Sequence, residues 1–199
     1  MKLHEGNAEE FERLSNYFKD AERRLKLVEI DGMEGIDIPS INELRYVTFH
    51  IIEAFKHNNP TIQADELRKA QRHCMRASYD AMELGLLQKL EAIAAFKESN
   101  RDIVISSVIP DFSSDMSRVQ EISDWIASDS SSGREEKERY YSECEEKYKE
   151  LHSMTLKYDS MSDELAKARK DKTSSGRVNI LLVVLSIVST SVAVISLIR

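Results

Sequence analysis

Two short motifs in this chain combine the side chains that proton transfer beside a phosphate needs. Four residues separate Arg45 from His50, and four separate Arg68 from His73. Histidine gains and loses a proton near neutral pH, so it can serve as a general acid or base. Arginine stays charged and can stabilise negative charge on a phosphate oxygen. We therefore treat these four residues as candidate catalytic residues.

Helix geometry leaves the first motif open to two interpretations. Residues five positions apart lie about 140° apart around a straight helix, so Arg45 and His50 converge only through a bend or a second subunit. Phe49 precedes His50, and two isoleucines follow it. That setting also suits a histidine at the edge of the core that makes a structural hydrogen bond.

The second motif lies in a more polar setting. A polar patch on one edge of its helix follows spacings of four, three and four and consists of Lys69, His73, Arg76 and Asp80. As a functional patch it would meet a phosphate. As a solvated face or a subunit contact it needs no chemistry, and we favour that structural interpretation.

Composition narrows the classes of function. The chain contains 28 Lys and Arg against 35 Asp and Glu, a net charge of −7. An acidic chain is a poor general binder of nucleic acid, so we expect no DNA partner, although a local basic cleft for RNA is allowed. No glycine-rich phosphate loop and no nucleophile elbow occur. The five histidines and two cysteines lack metal-ligand spacing, so we expect no metal and no cofactor.

A long apolar segment lies at the C-terminal end. Residues 178–198 contain no charged side chain and are almost wholly apolar. About 20 such residues in a helix cross the core of a bilayer, so we predict one transmembrane helix. Five basic residues lie between positions 167 and 177, and only Arg199 follows the segment. Positive flanks stay in the cytoplasm, which predicts a tail-anchored, single-pass protein with a cytoplasmic N-terminal domain.

One face of the apolar segment is small and polar. Its members recur at helical spacing and include Asn179, Ser186, Ser189, Ala193 and Ser196. Helices in lipid pack through such faces, because small side chains let backbones approach and hydroxyls bond across the contact. We therefore predict a homo-oligomer, in which this face packs against a neighbour or lines a pore. The alternative is that the hydroxyls bond their own backbone.

The remaining residues predict an all-α protein, since only 6 Gly and 3 Pro interrupt many helix-forming residues. Ser40 and Glu43 match a capping box at the start of the second helix. Helices are predicted at about 8–30, 40–57, 64–99, 115–128 and 134–172. The predicted domains are a cytoplasmic helical bundle over 1–127, a flexible break over 128–133, a stem helix and basic juxtamembrane hinge over 134–177, and the transmembrane helix over 178–198.

The stem helix carries an apolar seam at spacings of three and four. The seam consists of Tyr141, Cys144, Tyr148, Leu151, Tyr158 and Leu165. A coiled coil between chains and an amphipathic helix lying on the domain fit this spacing equally well.

The two Arg-x4-His motifs of this helical chain resemble those of the HEPN superfamily, found in prokaryotic toxins and antiviral effectors. The resemblance implies a HEPN-like helical bundle. Many members are metal-independent ribonucleases that pair two such motifs across a dimer cleft. There the histidine and arginine serve the attack of the 2′-hydroxyl and the developing phosphate charge, and Arg45, His50, Arg68 and His73 occupy the matching positions.

With its membrane segment, the chain resembles the small membrane-bound HEPN-like accessory proteins of type VI-B CRISPR systems. That resemblance implies cytoplasmic helical domains assembled around a membrane pore that depolarises the cell during phage defence. It also implies that the membrane is the bacterial inner membrane, and it implies a CRISPR effector or RNA as a partner.

Three functions are therefore expected. We favour, narrowly, a tail-anchored oligomer that perturbs or permeates the inner membrane in antiviral defence. A membrane-tethered HEPN ribonuclease is the second, and a structural membrane adaptor without activity of its own is the third.

Overall fold

The computed structural model describes residues 2–30, 38–128 and 134–173, and the regular structure in these ranges is entirely helical. This confirms the predicted all-α class. The elements are a 3-10 turn at Glu5–Asn7, α1 at Ala8–Ile30, α2 at Ile38–Lys56, α3 at Pro60–Ser99, a 3-10 turn at Ile105–Ser107, α4 at Phe112–Ser128 and α5 at Arg134–Ser160. After a turn at Met161, residues 162–173 are again helical.

The predicted transmembrane helix lies outside the described residues. So do Asn179, Ser186, Ser189, Ala193 and Ser196 on its small face, the hinge before it, and residues 129–133 of the predicted break. Within the described ranges, no helix combines the length and the apolar character needed to cross a bilayer.

The predicted start of α2 is wrong by two residues. The helix begins at Ile38, so Ser40 lies inside its first turn, where the side chain is fully buried. Pro39 is compatible with this start, because a first-turn residue needs no backbone N–H partner. The Glu43 carboxylate lies 2.6 Å from Nδ1 of His73 on α3.

The predicted start of α3 is also late. The helix begins at Pro60, and Asn59 caps it: its side-chain oxygen accepts hydrogen bonds from the backbone N–H groups of Thr61 (2.9 Å) and Ile62 (3.3 Å). An Asn cap followed by Pro at the first helical position is a strong start signal.

The chain divides into two compact units. Unit 1 comprises Met1–Glu91 and Ile122–His152, and unit 2 comprises Ala92–Glu121 and Ser153–Arg199. The division falls within α3, α4 and α5, so each of these helices contributes residues to both units.

Unit 1 is built around the small-residue face of α3. Five predicted members of that face are fully buried: Leu67, Ala70, Cys74, Ala77 and Ala81. Small side chains allow α1 and α2 to pack closely, and their contribution to this core is Leu14, Ala21, Val47 and Ala54. On α1, Phe11 and Phe18 have the helical spacing of Leu14 and Ala21 but are 38% and 39% exposed, so only part of that stripe is in the core.

The apolar seam of α5 is buried within this chain. In unit 1, Cys144, Tyr148 and Leu151 are fully buried, and the Tyr148 hydroxyl lies 3.4 Å from the Leu27 carbonyl oxygen as a donor. In unit 2, Tyr158 and Leu165 are buried in the same way. This burial is what an amphipathic helix lying on its own domain produces. The Tyr141 side chain is outside the described part.

Unit 2 has an aromatic core. The ring of Tyr158 stacks on Phe96, with centroids 4.7 Å apart, and packs against Phe112 at 5.6 Å. The Tyr158 hydroxyl donates to Asp115 (3.0 Å). Ile105 and Ile109 are buried in the segment between α3 and α4. The segment between these helices is therefore ordered without forming a strand.

Candidate functional site

The two Arg-x4-His motifs meet in one place. Helices α2 and α3 are joined by only three residues and run antiparallel, which brings His50 opposite His73. Their imidazole rings stack with centroids 5.1 Å apart and planes 19° apart. The two histidines therefore form one site within a single chain.

Each histidine is held by a carboxylate from the opposite helix. The Nδ1 atom of His50 lies 2.6 Å from Oε2 of Glu66, and Nδ1 of His73 lies 2.6 Å from Oε2 of Glu43. Both histidine side chains are only 15% exposed. A carboxylate that accepts the Nδ1–H bond fixes the orientation of the ring and leaves Nε2 as the atom that can exchange a proton.

Glu43 and Glu66 were not among the site residues predicted from the sequence, although a repeated sequence pattern contains both. Residues 43–50 read ELRYVTFH and residues 66–73 read ELRKAQRH, so Glu-Leu-Arg-x4-His occurs twice. Glu and His seven positions apart are two turns apart on one helix face. When two such helices pair antiparallel, the glutamate of each repeat faces the histidine of the other. The repeat thus predicts the crosswise pairs.

The leucine of each repeat points to the core. Leu67 is fully buried, and Leu44 is partly buried and packs against the same cluster. Because each leucine is anchored, the glutamate before it and the histidine after it are set at the edge of the core. The interpretation of His50 as a core-edge histidine with a hydrogen bond describes its surroundings correctly.

The arginines of the motifs do not join the histidine stack. Arg45 is exposed, and its guanidinium carbon lies 5.7 Å from the ring centre of Tyr46, which in turn stacks on His73 at 5.2 Å. Arg68 is exposed and its Nε donates to the Ala64 carbonyl of its own helix (3.2 Å). Arg45 is thus linked to the site through an aromatic ring, and Arg68 turns back on α3.

The predicted polar patch surrounds the same carboxylates. The Lys69 ammonium lies 2.6 Å from Glu66 and 2.9 Å from Asp65. The Arg76 guanidinium lies 3.9 Å from Glu43, the partner of His73. Asp80 is half-buried one turn further along α3.

The charge of Glu66 is set by its neighbours. Partial burial alone would raise the pKa of its carboxyl group, but hydrogen bonds from Lys69 and His50 outweigh burial and lower the pKa. The same contacts raise the pKa of Lys69, with Glu66 the larger cause and Asp65 the next. At neutral pH the site therefore contains an ionised carboxylate beside His50.

An apolar rim borders the histidines. Phe49 packs edge-on against His50 at 5.3 Å and is 52% exposed. Tyr46 is also exposed, and further exposed apolar side chains of α2 are Ile38, Ile41 and Ile52. Aromatic rings therefore lie on both sides of the histidine stack.

Neither metal geometry nor a known relative assigns the chemistry of this site. Among the described residues, no group of three or more His, Cys, Asp or Glu side chains is placed to hold a metal ion. Comparison with family models, curated proteins and solved structures finds no match to this chain. The function is therefore argued from the residues themselves.

Proposed function

We propose that this protein is a tail-anchored membrane effector that oligomerises through its C-terminal apolar segment and permeates the inner membrane in antiviral defence. The observation that carries the proposal is the uncharged segment at residues 178–198. As a helix these 21 residues would be about 32 Å long, which matches a bilayer core of about 30 Å. The defence role follows from the resemblance to CRISPR accessory proteins.

Basic residues in the helix at residues 162–173 support the proposal that the apolar segment enters the membrane from the cytoplasmic side. Its last two turns carry Lys167, Arg169, Lys170 and Lys172, against one acidic residue, Asp171. Cytoplasmic flanks of membrane helices carry such an excess of basic residues. Each basic residue near an anionic membrane surface contributes on the order of 1 kcal/mol of attraction.

The face of small side chains on the apolar segment supports association between copies of the protein. A single membrane helix has no partner within its own chain, so a face made of Ser186, Ser189 and Ala193 suits contact with another copy. Several copies around an axis would place these hydroxyl groups toward a common centre, where they would solvate passing ions.

The experiment is dye leakage from liposomes that contain the full-length protein. Substituting Ser186, Ser189 and Ala193 together with Leu should abolish leakage without preventing insertion, because close packing is lost while apolarity rises. The matched control replaces Val184, Val188 and Val192 with Leu on the opposite face and should still leak. No leakage from the unsubstituted protein, or equal leakage from both triple variants, would refute a pore built on this face.

A second candidate, a HEPN-type ribonuclease, is favoured by the stacked histidines. One imidazole would take the proton from a 2′-hydroxyl and the other would protonate the leaving 5′-oxygen, which is the division of labour that general acid–base cleavage of RNA requires. The crosswise contacts with Glu66 and Glu43 would orient the two rings.

Its test is incubation of the full-length protein with single-stranded RNA in the presence of EDTA. Cleavage that leaves 2′,3′-cyclic phosphate ends, and that is lost in His50→Asn and in His73→Asn, would support this activity. His57→Asn is the matched control, since His57 is exposed in the α2–α3 loop. If RNA stays intact, the histidine site serves the architecture of unit 1.

A further inference from the structure

The segment between α3 and α4 exposes one apolar side chain at its tip. Ile105 and Ile109 face the core of unit 2, whereas Val104 is 69% exposed, the most of any large apolar side chain in the described residues. A single exposed valine is ordinary on a protein surface. Val104 is informative because its segment is bound to the helix that precedes the apolar segment.

Two basic residues fasten this segment to the helix at residues 162–173. Arg169 donates from Nε to the Asp102 carboxylate (3.0 Å) and from Nη2 to the Ser99 carbonyl (2.8 Å) and the Asn100 side chain (3.1 Å). The Lys172 ammonium donates to the Asp102 carbonyl. The segment that carries Val104 therefore lies against the last described turns before the apolar segment.

Chain length limits how far the apolar segment can begin from this point. Thr173 is the last described residue, and the uncharged run starts at residue 178. Five residues span at most about 18 Å when fully extended. The headgroup layer extends about 5–8 Å beyond each side of the hydrocarbon core. A bilayer that holds residues 178–198 would consequently begin within about 18 Å of Thr173, at the part of unit 2 where Arg169 and Lys172 bind the segment that carries Val104.

Charge around the tip suits an anionic surface. The Arg169 hydrogen bond lowers the pKa of Asp102, and the guanidinium offsets that carboxylate. Near Val104, an open groove of about 590 Å³ has Lys97, Glu98 and Arg101 in its lining and Ile103 and Phe112 among its apolar walls. Arg101 pairs with Glu98 at 2.7 Å, so these two charges offset each other. The Lys97 ammonium over these apolar walls matches a phospholipid headgroup above the start of its acyl chains.

We infer that the segment at residues 101–110 is a second membrane contact, in which Val104 enters the headgroup layer of an anionic bilayer beside the anchor. This inference rests on the proposed membrane insertion of residues 178–198. The contact would hold unit 2 against the membrane.

The test places a fluorescent probe at the tip. Val104→Cys in the full-length protein is labelled with the environment-sensitive dye NBD, while Cys74 and Cys144 are fully buried and escape labelling in the folded protein. The protein is reconstituted in vesicles of phosphatidylcholine and phosphatidylglycerol, with and without a nitroxide-bearing phospholipid. The matched control is Leu156→Cys, an exposed apolar position in unit 2 on α5.

We expect the probe at position 104 to show blue-shifted emission. The nitroxide lipid should reduce its fluorescence intensity several-fold. The probe at position 156 should change little in either respect. Flotation of the same vesicles after a carbonate wash measures the anchor separately. Protein that floats while both probes behave alike would overturn the second contact and leave the anchor standing. A blue shift without lipid quenching would also overturn it, because another protein surface would then cover Val104. Protein that does not float would refute the anchor, and the second contact with it.

Discussion

The imidazole rings of His50 and His73 stack 5.1 Å apart, on two helices that run in opposite directions. Stacking would be unfavourable if both rings carried a positive charge with nothing to offset it. Each ring, however, has a carboxylate at Nδ1, so the four side chains contain as many negative as positive groups even when both histidines are protonated. Each carboxylate therefore holds its ring in the stacked position.

Glu66→Gln should destabilise unit 1 by about 1–2 kcal/mol, because a partly buried carboxylate loses charge-assisted hydrogen bonds to His50 and Lys69. Denaturant unfolding measures this change. Asp65→Asn is the matched control, since Asp65 is exposed and shares only Lys69. Its cost should be clearly smaller, because an exposed ion pair stabilises little. A double-mutant cycle of Glu66→Gln with His50→Asn should reveal coupling, and strictly additive effects would contradict the contact.

The lowered pKa of Glu145 predicts that the folded protein loses stability in acid. The hydrogen bond from Arg23 is the main reason why its pKa is lowered from 4.5 to about 2, against the opposing effect of burial. Because the folded pKa lies below the unfolded one, the stabilisation is complete above about pH 4.5 and is lost as the pH falls toward about 2.

Glu145→Gln should consequently cost about 1–2 kcal/mol at pH 7, and the difference from the unsubstituted protein should shrink between pH 4.5 and 2. Unfolding curves over this pH range check it. Glu146→Gln, at the next and exposed position, should show neither effect. A pH-independent difference would mean that Glu145 acts through packing.

Gly85→Ala should destabilise the protein although Gly85 lies inside a helix. An added Cβ would be 2.8 Å from both Val28 and Tyr148, so a buried methyl group or ring must shift. Overpacking of this kind costs about 1–3 kcal/mol, which outweighs the gain of about 1 kcal/mol that Ala offers in a helix. Thermal unfolding measures the sum. The cost should be smaller in a Val28→Ala background, and a rise in melting temperature for the single variant would contradict the close approach.

The two cysteines should be unreactive in the folded protein. Cys74 and Cys144 are fully buried, and burial raises the pKa of the Cys74 thiol to about 12. A thiol reagent reacts with the thiolate, so labelling at pH 8 should wait for unfolding. Both thiols should react at once in guanidinium chloride. Rapid labelling of the native protein would show that unit 1 opens locally.

Helical periodicity predicts the buried face of α3, because helical spacing decides which side chains share a face. The burial of Leu67, Ala70 and Cys74 on α3 followed directly from it. The start of α3 was predicted late because the Asn59–Pro60 signal was interpreted only as the end of the preceding helix. Capping side chains act on the residues after them, so one motif ends one helix and begins the next.

The candidate site was only half predictable. The spacing within each motif singled out His50 and His73, but it suggested arginine as the partner of each. The actual partners, Glu66 and Glu43, come from the facing helix, and only the alignment of the hairpin brings them within 2.6 Å. Spacing along one helix carries no information about that alignment unless the repeat is noticed in both helices.

The crosswise pairs have a consequence for folding as well. Both depend on a single register between α2 and α3, so sliding one helix by one residue would turn its side chains by about 100° and break the two pairs together. The repeat consequently penalises every near-miss alignment of the hairpin twice. A helix hairpin rich in small residues, which by shape alone would tolerate several alignments, is in this way committed to one.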